Sequence, residues 1–261
     1  MAAPICWPTL GPEFSGVLVG VTTRGQATGR GFNLATHVGD ELSEVQGRRA
    51  LLEGEVGAPL VWLNQVHGAD TLQVSARADT HLCAPADADA SVTRRTDIAL
   101  AVMTADCLPV VMVARDSRNQ AIAVGVAHAG WRGLHGGVLE SCLNALMDVA
   151  QVKSEQCYAW MGPAIGPQSY EVGAEVRSAF VDQDPQAASA FHPSQRQGRW
   201  MADLYTLARQ RLQRVGLATT VGGDFDTFTD PRWFSHRRAQ VQSLPAGRIA
   251  TFVRLLPVPV A

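Results

Sequence analysis

The chain has 261 residues, 46% hydrophobic and 18% charged, with a formal net charge of −2. That length supports one large domain with a sizeable core, and the composition excludes an intrinsically disordered chain. The slight acidic excess speaks against a general nucleic-acid binder, which carries a basic surplus. In chain order, GVLVGVTTR (16–24) reads as a strand and GFNLATHVGD (31–40) as a loop. Ser43 to Gln46 fits a capping box, followed by a helix with Val45, Leu52 and Val56 on one stripe and Gly57 as its stop. LVWLNQV (60–66) reads as a strand that delivers His67, and 81–96 as a loop. IALAVMT (98–104) and LPVVMVA (108–114) read as two buried strands pinched at Ala105-Asp106-Cys107, with another at 121–127. Gly136 to Val149 suits a helix with Val138, Leu139, Cys142, Leu146 and Val149 inward. A strand at 157–162, a helix from Ala174 to about Phe180, a polar loop, a helix capped by Asp203 and a closing strand at 249–256 complete the reading. Continuous apolar strands with helices between them predict an α/β (α+β) fold, a mixed sheet covered by helices on both faces.

No linker or internal repeat divides the chain, so a single domain over 1–261 is expected. The longest apolar stretch, Ile98 to Ala114, is broken by Asp106 and Pro109, which membrane spans rarely carry centrally. MAAPICWPTLGPEF lacks the charged start and apolar run of a secretion signal. Five cysteines (6, 83, 107, 142, 157) make an odd set with no CxxC pair. A reduced, cytoplasmic protein with no membrane and no nucleic-acid partner is the expectation.

Three segments are built alike. Gln65-Val66-His67-Gly68, Thr104-Ala105-Asp106-Cys107 and Ala127-His128-Ala129-Gly130 each end an apolar run with a potential ligand among small residues. Strands of one sheet can end on one edge, so His67, Cys107 and His128 are candidates to converge. Two imidazoles and a thiolate suit Zn²⁺, with Cu²⁺ as the alternative ion. Three protein ligands leave a fourth position for water or substrate, the pattern of a catalytic site. The plainer reading is two hydrogen-bonded strand-end histidines and a buried thiol, as expected for Cys142 and Cys157. Lys153 is the single lysine among 22 basic residues, so arginine content reflects a chain-wide bias.

LNQVHGADT, MTADCLPVVM, VAHAGWRGL, GPAIGPQSYEVG and FSHRR, with TTRG and GFNLATHVGD before them, resemble the YfiH-like polyphenol oxidase family, also described as purine nucleoside phosphorylases with a laccase-type domain. The resemblance runs from about Val19 to Leu256. It implies a single-domain fold with a mixed sheet between helical layers, similar to that of Cys–His toxin deamidases, and a zinc held by His67, Cys107 and His128. It further implies phosphorolysis of adenosine, inosine and methylthioadenosine, and deamination of adenosine. The partners are then a purine nucleoside and phosphate, with the oligomeric state left open. Asp226-Thr227, Ala164 and Gln168 stand where relatives carry Cys-Thr or cysteines, which weakens any reading with several copper centres.

For this chemistry, Arg24, Arg132 and Arg237 or Arg238 are candidates to hold phosphate, against the plain alternative of surface or ion-paired arginines. Asn33 and Gln65 are candidates for a ribose hydroxyl or purine edge, against loop capping and backbone pairing. Trp131 is read as a wall of the site, able to stack on a base or fill a void. Asp106 orients a ligand from behind or serves as acid or base. His236 is a candidate for the pocket lining, His37 has no assigned role, and His81, His135 and His192 read as surface or loop. Two other enzyme readings stand beside phosphorolysis. In one, Cys107 is a nucleophile activated by His128, hydrolysing an amide of a peptidoglycan precursor (UDP-MurNAc-L-Ser). In the other, bound copper oxidises phenols. A non-enzymatic, metal-dependent interaction module is the remaining alternative.

Overall fold

The computed structural model describes residues 2–25, 30–75, 85–217 and 219–258. The chain forms β1 (Ile5–Cys6), β2 (Val17–Thr22), α1 (Leu42–Val56), β3 (Leu60–Val61), β4 (Thr71–Gln73), β5 (Ala90–Thr93), β6 (Ala99–Thr104), β7 (Leu108–Arg115) and β8 (Ala121–Ala129). Then follow α2 (Trp131–Gly136), α3 (Val138–Ala150), β9 (Cys157–Met161), β10 (Glu171–Gly173), α4 (Ala174–Gln183), β11 (Phe191–Pro193), β12 (Arg199–Ala202), α5 (Leu204–Arg214), β13 (Thr220–Gly222), α6 (His236–Gln242) and β14 (Ile249–Leu255). His81 and Cys83 lie outside the described residues.

The expected α/β class with mixed pairing is found, but the strands divide among three sheets. A five-stranded sheet runs β1-β2-β14-β6-β3, a six-stranded sheet β13-β9-β7-β8-β5-β4, and a small one β10-β12-β11. Alternation along the strands shows how the layers stack. Leu108, Val110 and Met112 of β7 join a core with Leu139, Leu143 and Leu146 of α3, while Val111 and Val113 pack with Leu100 and Val102 of β6. On the far side of the five-stranded sheet, Ala99, Ala101 and Met103 pack with Leu52 and Val56 of α1. The two large sheets therefore cover each other, and each receives helices on its outer face only. A strand buried on both faces reads as continuously apolar whichever layer covers it, so the pattern could not show that one cover is a second sheet.

Several elements differ in detail. The strand expected at 60–66 is only Leu60–Val61, and β5 occupies part of the expected loop 81–96. A short helix, α2, begins at Trp131, where no element was expected. The capping box at Ser43 does not form, because α1 starts after Glu41 and Ser43 lies inside its first turn. Asp203 does cap α5, accepting from Thr206 N at 3.0 Å. The polar loop before it carries β11 and β12.

One register position ties the outer face of the five-stranded sheet together. Gly20 pairs with Phe252 on β14, and the fully buried ring lies where a Gly20 side chain would go, 2.3 Å from an ideal Cβ. Gly20→Val is expected to cost about 1–3 kcal/mol through overpacking, read as a lower urea midpoint. Gly54→Ala is the contrast: it meets nothing within 4 Å and lies in an exposed turn of α1, so about 0.5–1 kcal/mol is gained.

Candidate metal centre and its cavity

The chain passes from one large sheet to the other at Ala105-Asp106-Cys107, between β6 and β7. That crossing leaves Cys107 just ahead of Leu108, which pairs with Ala129 on β8, while Pro109 pairs with His128. Antiparallel register therefore brings Cys107 beside His128. His67 arrives differently, on an irregular segment after an isolated bridge between Asn64 and Asp87, with its backbone in the left-handed region at φ 60°. The three ligand atoms lie within 4.8 Å of one another, with Cys107 Sγ 4.0 Å from His67 Nε2. The two rings meet edge to face, centroids 4.8 Å apart. The three residues singled out in the sequence are thus together, although only His128 ends a strand directly.

What holds them is Asp89, which the sequence reading passed over. Its carboxylate is fully buried and accepts from Val66 N (3.1 Å), His67 N (3.1 Å) and Gly68 N (2.7 Å). The same carboxylate lies 2.7 Å from Nδ1 of the buried His128. Three successive N–H groups around a left-handed residue make an anion-binding nest, and charge-assisted bonds of this kind offset the roughly 1–2 kcal/mol of an αL conformation. Asp89 sits there because its backbone continues the β5–β8 ladder, its carbonyl accepting from His128 N at 2.7 Å. With Nδ1 engaged, His128 presents Nε2 to Cys107 and His67, the arrangement found behind metal-bound histidines.

The glycines of HAGWRG have a place in this geometry. An ideal Cβ on Gly130 would lie 3.0 Å from Cys107 Sγ and His67 Cδ2, and 3.6 Å from His128 Nε2. A Cβ on Gly133 would lie 2.7 Å from the carbonyl of Gly68. The first turn of α2 thus presses against the His67 segment, and a side chain at Gly130 would crowd Cys107 and His67. Trp131 does not wall the cavity; it packs against the helical core and stacks under its neighbour Arg132.

Electrostatics match the placement. Burial raises the Cys107 thiol, but the positive His128 beside it and hydrogen bonds from both histidines bring it down to about 6. Burial lowers His128, yet the Cys107 thiolate and the Asp89 carboxylate raise it to about 9. Cys142 and Cys157 behave as expected of small apolar residues, burial pushing them up to about 12 and about 11.

The donor set fits a divalent ion. Zinc bonds of 2.0–2.3 Å imply ligand atoms about 3.5 Å apart, so small side-chain movements would close the triad around an ion. Among the described residues this is the one cluster of three or more His, Cys, Asp or Glu groups suited to a metal.

His67, Cys107 and His128 line a cavity of ≈ 520 Å³, together with Gln65, Trp62, His37, Arg49, His236 and Arg248. His236 is where the sequence placed it; His37, Arg49 and Arg248 were missed. Gln65 lines the cavity, but its amide pairs both ways with the Met103 backbone at 2.8 Å, as the plainer reading had it. Asn33 is fully buried, is not among the lining residues, and its amide bonds Ala35, Asp40 and Arg248 N, the loop support of the plainer reading. Arg24 and Arg132 are not among the lining residues; each lies over an aromatic ring, Phe234 and Trp131 respectively. Arg238 is buried among the carbonyls of Thr227, Phe228, Asp230 and Trp233. Arg237 reaches the Glu171 carbonyl. Asp106, at φ 91°, accepts from Thr227 Oγ1 and Arg237 N, both at 2.7 Å. It therefore fastens the start of α6, and with it His236, to the strand crossing. His135 is helical and half-buried against Phe180 instead of lying in a loop.

A family model described as multi-copper polyphenol oxidoreductase laccase matches residues 18–256. The protein named purine nucleoside phosphorylase YfiH of Escherichia coli strain K12 is 42% identical over 228 residues, 86% of either chain. A Xylella fastidiosa protein named purine nucleoside phosphorylase is 45% identical over 226 residues, 84% of this chain and 82% of that one. Among solved structures, a Neisseria meningitidis protein of the DUF152 family superposes with a TM-score of 0.85 at 37% identity, covering 97% of this chain and 100% of that one. YlmD from Geobacillus stearothermophilus superposes at 0.82 with 27% identity, covering 95% and 94%.

Asp89→Asn keeps the side-chain shape but removes the charge that gathers three N–H groups and the His128 ring. Metal affinity is expected to fall by about 10–100-fold, measured by competition with a chromogenic chelator. Unchanged affinity would show that the histidines keep their places without the carboxylate.

Proposed function

The chain belongs to the multi-copper polyphenol oxidoreductase laccase family, and from that membership and its cavity we propose that it is a zinc-dependent purine nucleoside phosphorylase acting on adenosine, inosine and methylthioadenosine, with adenosine deamination as a companion activity. The observation that carries the reading is that His67, Cys107 and His128 open together into one cavity of ≈ 520 Å³, within the size range of small-ligand sites, in a chain whose relatives bear the phosphorylase name.

In phosphorolysis a phosphate oxygen bonds to the ribose anomeric carbon while the bond to the purine nitrogen breaks, and the departing base takes up a proton. His67, Cys107 and His128 would hold the ion, whose chemistry when bound is Lewis acidity toward a substrate oxygen or a water. The chain's own groups do the rest. Asp89 keeps Nδ1 of His128 occupied and its Nε2 aimed at the reacting region. Gln65, locked on Met103, fixes the wall between the His67 segment and β6. Asp106 holds α6 so that His236 borders the same space. Phenol oxidation by copper is less well supported, because four-electron reduction of dioxygen needs several coppers and the described residues gather one ligand cluster.

Purified protein given inosine, adenosine or methylthioadenosine, with and without phosphate, is expected to release hypoxanthine or adenine only when phosphate is present. His128→Ala is expected to lower kcat/KM by at least about 10²-fold, the order of a lost acid–base or electrostatic group. Inosine formed from adenosine without phosphate would support the companion deamination. No turnover of any nucleoside by zinc-loaded protein would overturn the proposal.

One observation favours a second reading. Cys107, His128 and Asp89 also form a nucleophile–imidazole–carboxylate chain, with the thiol lowered to about 6, which suits a Cys–His hydrolase of a nucleotide-linked amide such as a peptidoglycan precursor. Iodoacetamide labelling separates the two. A metal ligand is expected to be alkylated at Cys107 only after chelator treatment; equal labelling before and after would favour the free nucleophile.

A further inference from the structure

Two arginines line the cavity of the metal triad without a carboxylate partner. The guanidinium of Arg49 lies 4.1 Å from the centroid of the Trp62 ring, donates from Nε to the Leu34 carbonyl at 3.0 Å, and approaches Met103 Sδ at 3.8 Å with Nη2. Arg248 donates from Nη1 to the Gly247 carbonyl at 2.9 Å. Among the described residues, Nη1 of Arg49 and Nε and Nη2 of Arg248 have no hydrogen-bond acceptor, and no carboxylate lies within ion-pair distance of either side chain. Elsewhere Arg48, Arg95, Arg196, Arg211, Arg214 and Arg232 pair with an acid, and Arg30, Arg115, Arg209, Arg238 and Arg254 reach carbonyl oxygens. Arg49 and Arg248 are the arginines that line the cavity of the triad.

Their surroundings add positive character. His37 and His236 line the same cavity. Burial lowers both imidazoles, and Arg248 lowers each further, with Arg49 acting on His37 as well. Arg248 therefore lies close enough to both imidazoles, and Arg49 to His37, for like charges to repel, while the Asp106 carboxylate acts the other way on His236. Partial burial lowers Arg49 and Arg248 too; the negative charge acting against this is Glu53 at Arg49, outside ion-pair distance, and Cys107 and Asp106 at Arg248. Half-buried guanidiniums lose part of their hydration, which an anion would offset, and their forked N–H groups match a tetrahedral oxyanion. The Trp62 face and the Leu34 carbonyl hold Arg49 in place beforehand, so little side-chain entropy is lost on binding.

We propose that Arg49 and Arg248, flanked by His37 and His236, form an oxyanion subsite beside the metal triad that takes a phosphoryl group. Its identity as the phosphate of phosphorolysis rests on the function proposed above; the subsite itself rests on the unpaired guanidiniums. Free phosphate and the phosphoryl group of a nucleotide share this chemistry. Arg24 and Arg132, the candidates suggested by sequence, lie over other rings and are not part of it.

Zinc-loaded full-length protein is titrated with inorganic phosphate and, separately, with uridine diphosphate, by isothermal calorimetry. Arg248→Gln is expected to weaken binding about tenfold or more. Arg24→Gln and Arg132→Gln are expected to stay within about twofold of the parent protein. Arg49→Lys, which keeps the charge over Trp62 but loses the fork, is expected to weaken it several-fold, and it serves where Arg49→Gln fails to fold. Arg248-dependent binding of phosphate without any phosphorolysis would leave the subsite standing and remove the phosphorylase reading. Arg248-dependent binding of the nucleotide alone would assign the subsite to a nucleotide substrate. If neither anion binds, or if both bind equally well to Arg248→Gln and Arg49→Lys, the subsite is overturned.

Discussion

One buried carboxylate organises the site. Asp89 receives three consecutive backbone N–H groups and an imidazole, and so joins a segment without regular structure to the end of a central strand. Without it, three N–H groups of the 66–68 segment would lose their charged acceptor, and His128 would lose the partner that sets its ring. His67 is exposed while His128 is 3% accessible. The carboxylate thus links an exposed, irregular position to a buried strand, which is how a ligand on an irregular segment gains strand-like precision.

The double-sheet core gives this arrangement its frame. Because β6 and β7 belong to different sheets, the three residues between them must turn sharply, and Asp106 does so at φ 91°. Such a conformation costs about 1–3 kcal/mol for a residue with a side chain. Both of its carboxylate oxygens are tied, to Thr227 and to the backbone of α6, so the crossing is held from the C-terminal part of the chain. In the pair Asp226-Thr227 it is Asp226 that stands where relatives carry a cysteine, while Thr227 matches their threonine and its hydroxyl braces Asp106. The crossing and the α6 start are one unit, and the cavity lies between them and α1.

Much of the site is legible in the sequence because small residues advertise crowding. Gly130 and Gly133 flank Trp131 and Arg132 where side chains would collide with Cys107, His67 and Gly68, and that motif drew attention to His128. Continuous apolar runs likewise mark β6 and β7 as buried strands. Asp89 escaped notice because ADADAS looks like a polar loop: its acidic and alanine residues carry weak strand propensity, and β5 is only four residues long. Tertiary pairing with β8 overrides that preference. The capping box at Ser43 failed for a related reason, since Asp40 and Arg48 already fasten the helix start through a 2.6 Å ion pair, and the helix begins ahead of the motif.

The arginines show where residue type stops being informative. With almost all basicity carried by one side chain, motif membership selected Arg24 and Arg132, whereas partners distinguish the sites. Arg238 sits deepest in a motif, and its guanidinium is surrounded by carbonyl oxygens that it satisfies, so it acts as a clamp for the 227–233 turn. Arg49 is unremarkable in sequence, one of a pair on an amphipathic helix; its neighbour Arg48 takes the Asp40 carboxylate and leaves Arg49 to turn inward over Trp62. Position on the helix explains the difference: successive residues are about 100° apart around the axis, so one of the two faces the solvent-side acid and the other the cavity. A guanidinium becomes available to a ligand when the fold withholds its carboxylate, and that is a property of the neighbours that no single residue can display.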